Sequence, residues 1–286
     1  MDTMRIFYTP RCLEYESPFH PESPLRVGEI AAYLHERGFA FTDPRPCRDE
    51  DILRVHTPEM LQALESGSYS DADTPALPDI LAYAKLSAGA AVQAAEAAPT
   101  DGFAFSLMRP PGHHATGNRI MGFCYLNNIA IAVSHFLETH PNTKAAILDI
   151  DCHHGNGTED IFLGHPSVLF VSLHQAPLYP GTGHTSRDNI INRPRPPGTE
   201  EPVYLDTLKK ACREIRDYRP SLIGVSAGFD TFLQDPLTQF ALDTVTYRKI
   251  GEEIASLGVP AFAVLEGGYS PQLPECVYEF IRGFTP

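Results

Sequence analysis

Asp149-Ile-Asp151-Cys-His153 sets three potential metal-binding side chains at alternate positions, directly after an apolar run that begins at Ala145. In an extended backbone alternate side chains share a face, so Asp149, Asp151 and His153 are expected to point the same way. Two carboxylates and an imidazole at that spacing can supply much of the surroundings of a divalent ion, and Gly155 and Gly157 let the chain turn around it. A capped strand end with a solvated acidic turn would account for one such Asp, but not for this density. A catalytic metal takes three protein ligands and keeps one position open. Asp230, after Gly224-Val-Ser-Ala-Gly228-Phe, is the further candidate ligand, and a helix N-cap is its alternative reading. His113-His114 follow Arg109-Pro-Pro-Gly112. Imidazoles titrate near neutral pH and suit proton transfer from a water to a leaving amine. Histidines bonded to backbone carbonyls, or both acting as ligands, are the alternatives. Tyr269, after Glu266-Gly-Gly, could donate a hydrogen bond to the oxyanion formed on an attacked carbonyl. Alone it would read as a surface tyrosine; its weight comes from standing at one of four strand ends that each carry a suitable polar group.

Something must bring these separated segments together. Short apolar runs at Met4 to Tyr8, Gly102 to Leu107, Ala145 to Ile150, Val168 to Leu173, Leu222 to Ala227 and Ala261 to Leu265 read as strands buried on both faces. Helical patterns lie between them at Leu25 to Glu36, Pro58 to Glu65, Ala82 to Ala97, Asn128 to Thr139, Pro202 to Tyr218 and Val245 to Ser256. The alternation predicts an α/β fold with a mostly parallel sheet covered by helices on both sides. In such sheets ligands bind beyond the carboxyl ends of the strands, where the polar segments above are found. The Pro- and Gly-dense stretch from Tyr179 to Gly198 reads as a long ordered loop. With 286 residues, 43% of them hydrophobic, one domain over residues 1–286 is expected. No 18-residue apolar segment or secretion-signal pattern is visible, so a cytoplasmic location and no membrane partner are expected. Six scattered cysteines without a C-x-x-C pair read as free thiols. A formal net charge of −14 disfavours nucleic acid as a partner and favours a cationic substrate.

Taken together the segments resemble the histone deacetylase and acetylpolyamine amidohydrolase family, from His20-Pro-Glu-Ser-Pro-Leu-Arg26 to Leu265-Glu-Gly-Gly-Tyr269. Arg109-Pro-Pro-Gly-His113-His114, Gly122-Phe123-Cys-Tyr-Leu-Asn127-Asn128, Asp149-x-Asp151-x-His153-His154-Gly-Asn156-Gly, Val171-Ser172-Leu-His174, Pro180-Gly-Thr-Gly183, Ser226-Ala-Gly-Phe-Asp230 and Asp235-Pro-Leu237 occur in the family's order. The resemblance implies a three-layer, arginase-like fold and zinc, with iron(II) as the alternative, on Asp151, His153 and Asp230. It implies His114 as general base, His113 as its electrostatic or acid partner and Tyr269 as oxyanion donor, with Asp149 and Asn156 orienting the two histidines. Asn156, where one branch of the family has Asp, is similar to the class II and bacterial members. Phe123 and Tyr179 would flank a narrow channel that Gly122 leaves open, with Leu237 and Asp73 nearer its mouth, and Arg26 would line an internal cavity. Potassium or sodium would bind beside Asp149, Asp151, His153, Ser172 and Leu173, and a second ion at the carbonyls of Phe162, His165 and Val168.

The implied reaction is removal of an acetyl group from an N-acetyl-lysine side chain or an N-acetylpolyamine. The segment Thr9 to Phe19 departs from the family's usual pattern, so Glu14 and Glu16 become candidates to meet a second ammonium group, with solvation as the plainer role. Leu237 stands where a polyamine-selective branch has glutamate, which argues mildly for acetyl-lysine. A dinuclear ureohydrolase on the same fold would need more Asp and His ligands. A binding module without turnover would need neither the paired histidines nor Tyr269.

Overall fold

The computed structural model describes residues 4–285. Its strands are β1 (Arg5–Phe7), β2 (Phe41–Thr42), β3 (Phe103–Ser106), β4 (Ala145–Asp149), β5 (Val168–Gln175), β6 (Ile190–Arg195), β7 (Leu222–Ala227) and β8 (Ala261–Leu265). They form one sheet in the order β2-β1-β3-β8-β7-β4-β5-β6, and every neighbouring pair is parallel. Every residue of β3, β4, β5, β7 and β8 is buried, as the continuous apolar runs required.

The helices are α1 (Pro24–Glu36), α2 (Asp49–Ile52), α3 (Pro58–Ser66), α4 (Ile80–Asp101), α5 (Asn128–Thr139), α6 (Asn156–Phe162), α7 (Glu201–Tyr218), α8 (Thr244–Ala255) and α9 (Leu273–Arg282), with a 3-10 turn at Pro10–Leu13. One set packs in the sequence α1, α9, α8, α7, and a second joins α4 to α3 and to α5, which meets α2 and α6. The two sets cover the sheet in a three-layer α/β arrangement. Small residues allow α4 to lie close: a Cβ on Gly89 would stand 2.7 Å from the Cys47 nitrogen.

The expected elements are all present, and some differ in extent. Helix α4 runs through Pro99 to Asp101, beyond the expected Ala97. The stretch read as a loop from Tyr179 to Gly198 contains β6, which pairs only with β5. Pro194 lies within β6, and an edge strand can spare the missing N–H. The expected continuation of β4 through His153 is not found, because the strand ends at Asp149. Instead Asp149 Oδ1 accepts the Asp151 N–H at 3.1 Å and Asp151 Oδ1 accepts the His153 N–H at 2.8 Å. Successive carboxylate turns thus replace the strand; Asp151 and His153 converge on one cluster, whereas the Asp149 carboxylate turns to His113. All six cysteines are buried and free. Among the described residues no helix is long and apolar enough to cross a membrane.

Candidate active site

Strands β3, β8, β7 and β4 are consecutive neighbours, so parallel pairing brings their four carboxyl ends to one edge. From those ends come His113-His114, Tyr269, Asp230 and Asp149-Asp151-His153. Metal-binding atoms of Asp151, His153 and Asp230 lie within 4.8 Å of one another. His153 Nδ1 is 3.1 Å from Asp151 Oδ1 and 2.8 Å from Asp230 Oδ2. The backbone fixes the other carboxylate oxygens: Gly267 N–H donates to Asp151 Oδ2 and Cys152 N–H to Asp230 Oδ1, each at 2.8 Å. A Cβ on Gly267 would stand 2.6 Å from Asp151 Oδ2 and 2.7 Å from Asp230 Oδ2, so only glycine fits there.

Two buried carboxylates against one imidazole carry an excess of negative charge that a divalent ion would neutralise. Burial and the neighbouring Asp151 push the Asp230 carboxyl up to about 7. The His153 ring is opposed by burial, but the two carboxylates outweigh it and raise it to about 10. Oxygen and nitrogen donors in this ratio fit zinc or a similar transition metal.

The paired histidines are held differently. His113 Nδ1–H donates to Asp149 Oδ2 at 3.0 Å, and His114 Nδ1–H donates to Asn156 Oδ1 at 2.7 Å. Both imidazoles are buried with centroids 4.0 Å apart. Burial disfavours the His113 cation, but Asp151, Asp149 and Glu266 prevail and raise it to about 10. Burial and the neighbouring His113 and His153 push His114 well below its ordinary value. The surroundings therefore favour a proton on His113 and disfavour a second one on His114.

Tyr269 is fixed by its backbone N–H, which donates to Asp235 Oδ2 at 2.8 Å. Burial keeps its phenol protonated, well above the ordinary range. The Arg26 guanidinium lies 4.7 Å from the ring centroid and donates to the carbonyls of Gly268 and Glu266 at 2.6 Å each. Phe123 is edge-on to Tyr269 at 6.0 Å, and Tyr179 is edge-on to His114 at 5.1 Å. Gly122, in the left-handed region at φ +60°, leaves that side open: a Cβ there would lie 2.6 Å from the His114 ring and 3.0 Å from Tyr179 Oη.

The remaining expected residues are spread more widely. Leu237 and Tyr179 are exposed, and the Asp73 carbonyl lies 3.2 Å from His20 Nε2. Glu14 and Glu16 are exposed, and Glu14 accepts a 3.3 Å bond from Tyr83. Ser172 and Leu173 lie on β5 beside Asp149, which is paired with Ser172. The carbonyls of Phe162 and Val168 each accept a 2.8 Å bond from Asn189 Nδ2, and the Phe162 carbonyl also accepts from the His165 N–H at 2.9 Å. Sequence reasoning assigned no role to Glu22 or Glu266. Glu22 is buried between Arg109, at 2.7 Å to both carboxylate oxygens, and Arg26, at 3.3 Å. Its available signal is its charge, opposite to that of Arg26 four residues on, although Glu22 itself lies before the start of α1. Glu266 is fully buried beneath the histidine loop.

The chain is similar to known proteins along nearly its whole length. A family model described as the histone deacetylase domain matches residues 20–284. The chain is 41% identical over 300 residues to a probable deacetylase of Methanothermobacter thermautotrophicus, covering 98% of this chain and 90% of that protein. Its fold is similar to the crystal structure of the HDA15 HD domain, with a TM-score of 0.92 and 29% identity over 99% of this chain and 88% of the other. It is also similar to acetylpolyamine aminohydrolase from Burkholderia pseudomallei, with a TM-score of 0.87 and 28% identity over 98% of each chain. The chain belongs to the histone deacetylase domain family.

Proposed function

We propose that this protein is a zinc-dependent deacetylase whose single catalytic domain hydrolyses the acetyl amide of an acetylated lysine side chain or an acetylpolyamine. The observation that carries the reading is the joining of a three-residue metal cluster to two histidines of opposite proton affinity and a half-buried tyrosine. Asp151, His153 and Asp230 would hold the metal. When bound, zinc would polarise the acetamide carbonyl and acidify a water. His114 Nε2 accepts the proton of the attacking water, and Asn156 holds the opposite ring nitrogen so that Nε2 faces inward. His113, whose cation Asp151 and Asp149 favour, steadies the negative charge that develops and supplies a proton to the departing amine. Tyr269 donates its phenolic hydrogen to the oxyanion. Addition of water thus ends in acetate and a free amine.

Phe123 and Tyr179 fit a methylene chain, and Leu237 at the mouth favours acetyl-lysine. Potassium or sodium beside β4 and β5, and a cytoplasmic location, belong to the same reading. Among the described residues one cluster of three metal-binding groups occurs, which favours a mononuclear centre over a ureohydrolase-like pair. The test compares turnover of an acetyl-lysine peptide, acetylputrescine and acetylspermidine by the zinc-loaded protein. Tyr269→Phe should lower kcat on the best substrate by about 10²-fold. An unchanged kcat would remove Tyr269 from the oxyanion role, and no turnover of any acetyl amide would end the deacetylase reading.

A further inference from the structure

Glu266 lies one residue beyond β8, is inaccessible to solvent and enters the steps above only as one of the charges that favour the His113 cation. Its Oε2 accepts the backbone N–H groups of Gly112 at 2.7 Å and His113 at 3.2 Å, while Ser226 Oγ donates to Oε1 at 3.1 Å. Its main chain is equally committed. The N–H donates to the Ala227 carbonyl at 3.0 Å, and the carbonyl accepts from Arg26 Nη2 at 2.6 Å. The next amide, Gly267 N–H, reaches Asp151 Oδ2, and Tyr269 follows two residues later.

The histidine loop is fastened from its other side too. Ser87 Oγ and Asn128 Nδ2 donate to the Pro110 carbonyl at 2.9 and 3.0 Å. A Cβ on Gly112 would lie 2.5 Å from the Asn128 nitrogen and 2.7 Å from the Leu126 carbonyl oxygen. The loop is thus held between the start of α5 and the Glu266 carboxyl group. Removing that group would strand two buried N–H donors, which costs more than the loss of an exposed hydrogen bond.

We infer that Glu266 is a positioning residue that locks the His113-His114 loop and the Tyr269 turn into one unit, fixing the separation of proton acceptor and oxyanion donor. The inference rests on the deacetylase reading and adds a residue to it. Glutamine can reproduce the contacts: its carbonyl oxygen has two lone pairs for Gly112 and His113, and its amide can face Ser226 Oγ as donor. Alanine cannot.

The experiment measures kcat, KM and zinc content for Glu266→Gln and Glu266→Ala, and records imidazole nitrogen resonances of histidine-labelled protein. Alanine should lower kcat on the order of 10²-fold, the cost of misplacing reacting groups by about 1 Å, with KM and zinc content little changed. Glutamine keeps the contacts and loses only the carboxylate charge near His113, so it should retain most of kcat, and the His113 and His114 resonances should shift further in the alanine variant than in glutamine. A kcat and spectrum unaltered by alanine would overturn the proposal. If alanine prevents folding, glutamine decides: a largely retained kcat upholds positioning through the two N–H groups, and a loss on the order of 10²-fold contradicts it. Should wild type hydrolyse no acetyl amide, the deacetylase reading fails, while the spectra still test whether Glu266 positions the histidines.

Discussion

At the scale of single residues, the centre is made by what glycine leaves out as much as by the ligands. Gly267 both donates to Asp151 and sits where a Cβ would touch two carboxylates. Gly267→Ala should therefore weaken zinc binding by about 10-fold to 100-fold, the usual range for losing a ligand's hydrogen-bonded support. Competition titration against a chelator checks this, and an unchanged affinity would show that the two carboxylates can move aside. The candidate ligand cluster and the histidine pair were legible as groupings because their residue types recur at spacings that local geometry interprets. Glu22 and Glu266 were not singled out by the sequence. A lone glutamate has no informative period, and only the tertiary fold reveals that one is buried between two guanidinium groups and the other beneath two loop amides.

Elements supply the next level of control. His56 Nδ1–H donates to the Thr116 carbonyl at 3.0 Å, and Nε2 accepts the Asn127 N–H at 2.9 Å, tying the chain just after His114 to the start of α5. Burial lowers His56 to about 4, so the folded protein holds this ring neutral. A histidine depressed on folding contributes stability that is complete above its unfolded value of about 6.5 and is lost as pH falls through about 4. Wild type should lose on the order of 3 kcal/mol from this group across that window. His56→Gln should show a shallower decline of the denaturation midpoint; parallel declines would contradict the assignment. The central strands were legible because burial on both faces demands unbroken apolar runs. Strand β6 was hidden by Asn192, Pro194 and three arginines nearby, a composition tolerated at an edge with one neighbour. Helix α9 buries Leu273, Cys276, Val277, Phe280 and Ile281 at helical spacing, but it is short and follows a Gly- and Pro-rich turn that reads as loop.

The whole molecule acts through its charge and through the parallel order of its sheet. A net charge of −14 attracts polycations over a distance set by salt. For acetylspermidine, kcat/KM should fall as ionic strength rises from 10 to 300 mM, roughly the range over which screening shortens to molecular contact, whereas a neutral acetyl-lysine peptide should respond little. Equal responses would assign the effect to the site and not to long-range attraction. The architecture was largely legible at this scale, since alternating strands and helices imply parallel strands whose ends share an edge. The order β3-β8-β7-β4, which makes four distant segments neighbours, is set by tertiary packing and has no local trace.

The central claim is that Asp151, His153 and Asp230 hold a metal that the paired histidines and Tyr269 use to cleave an acetyl amide. Acetate release by purified protein tests it most directly, measured after chelation, after return of one equivalent of zinc, and in the Asp151→Ala variant. The account predicts no release after chelation, recovery with zinc, and no recovery in the variant. Undiminished release by the chelated protein or by Asp151→Ala would contradict it.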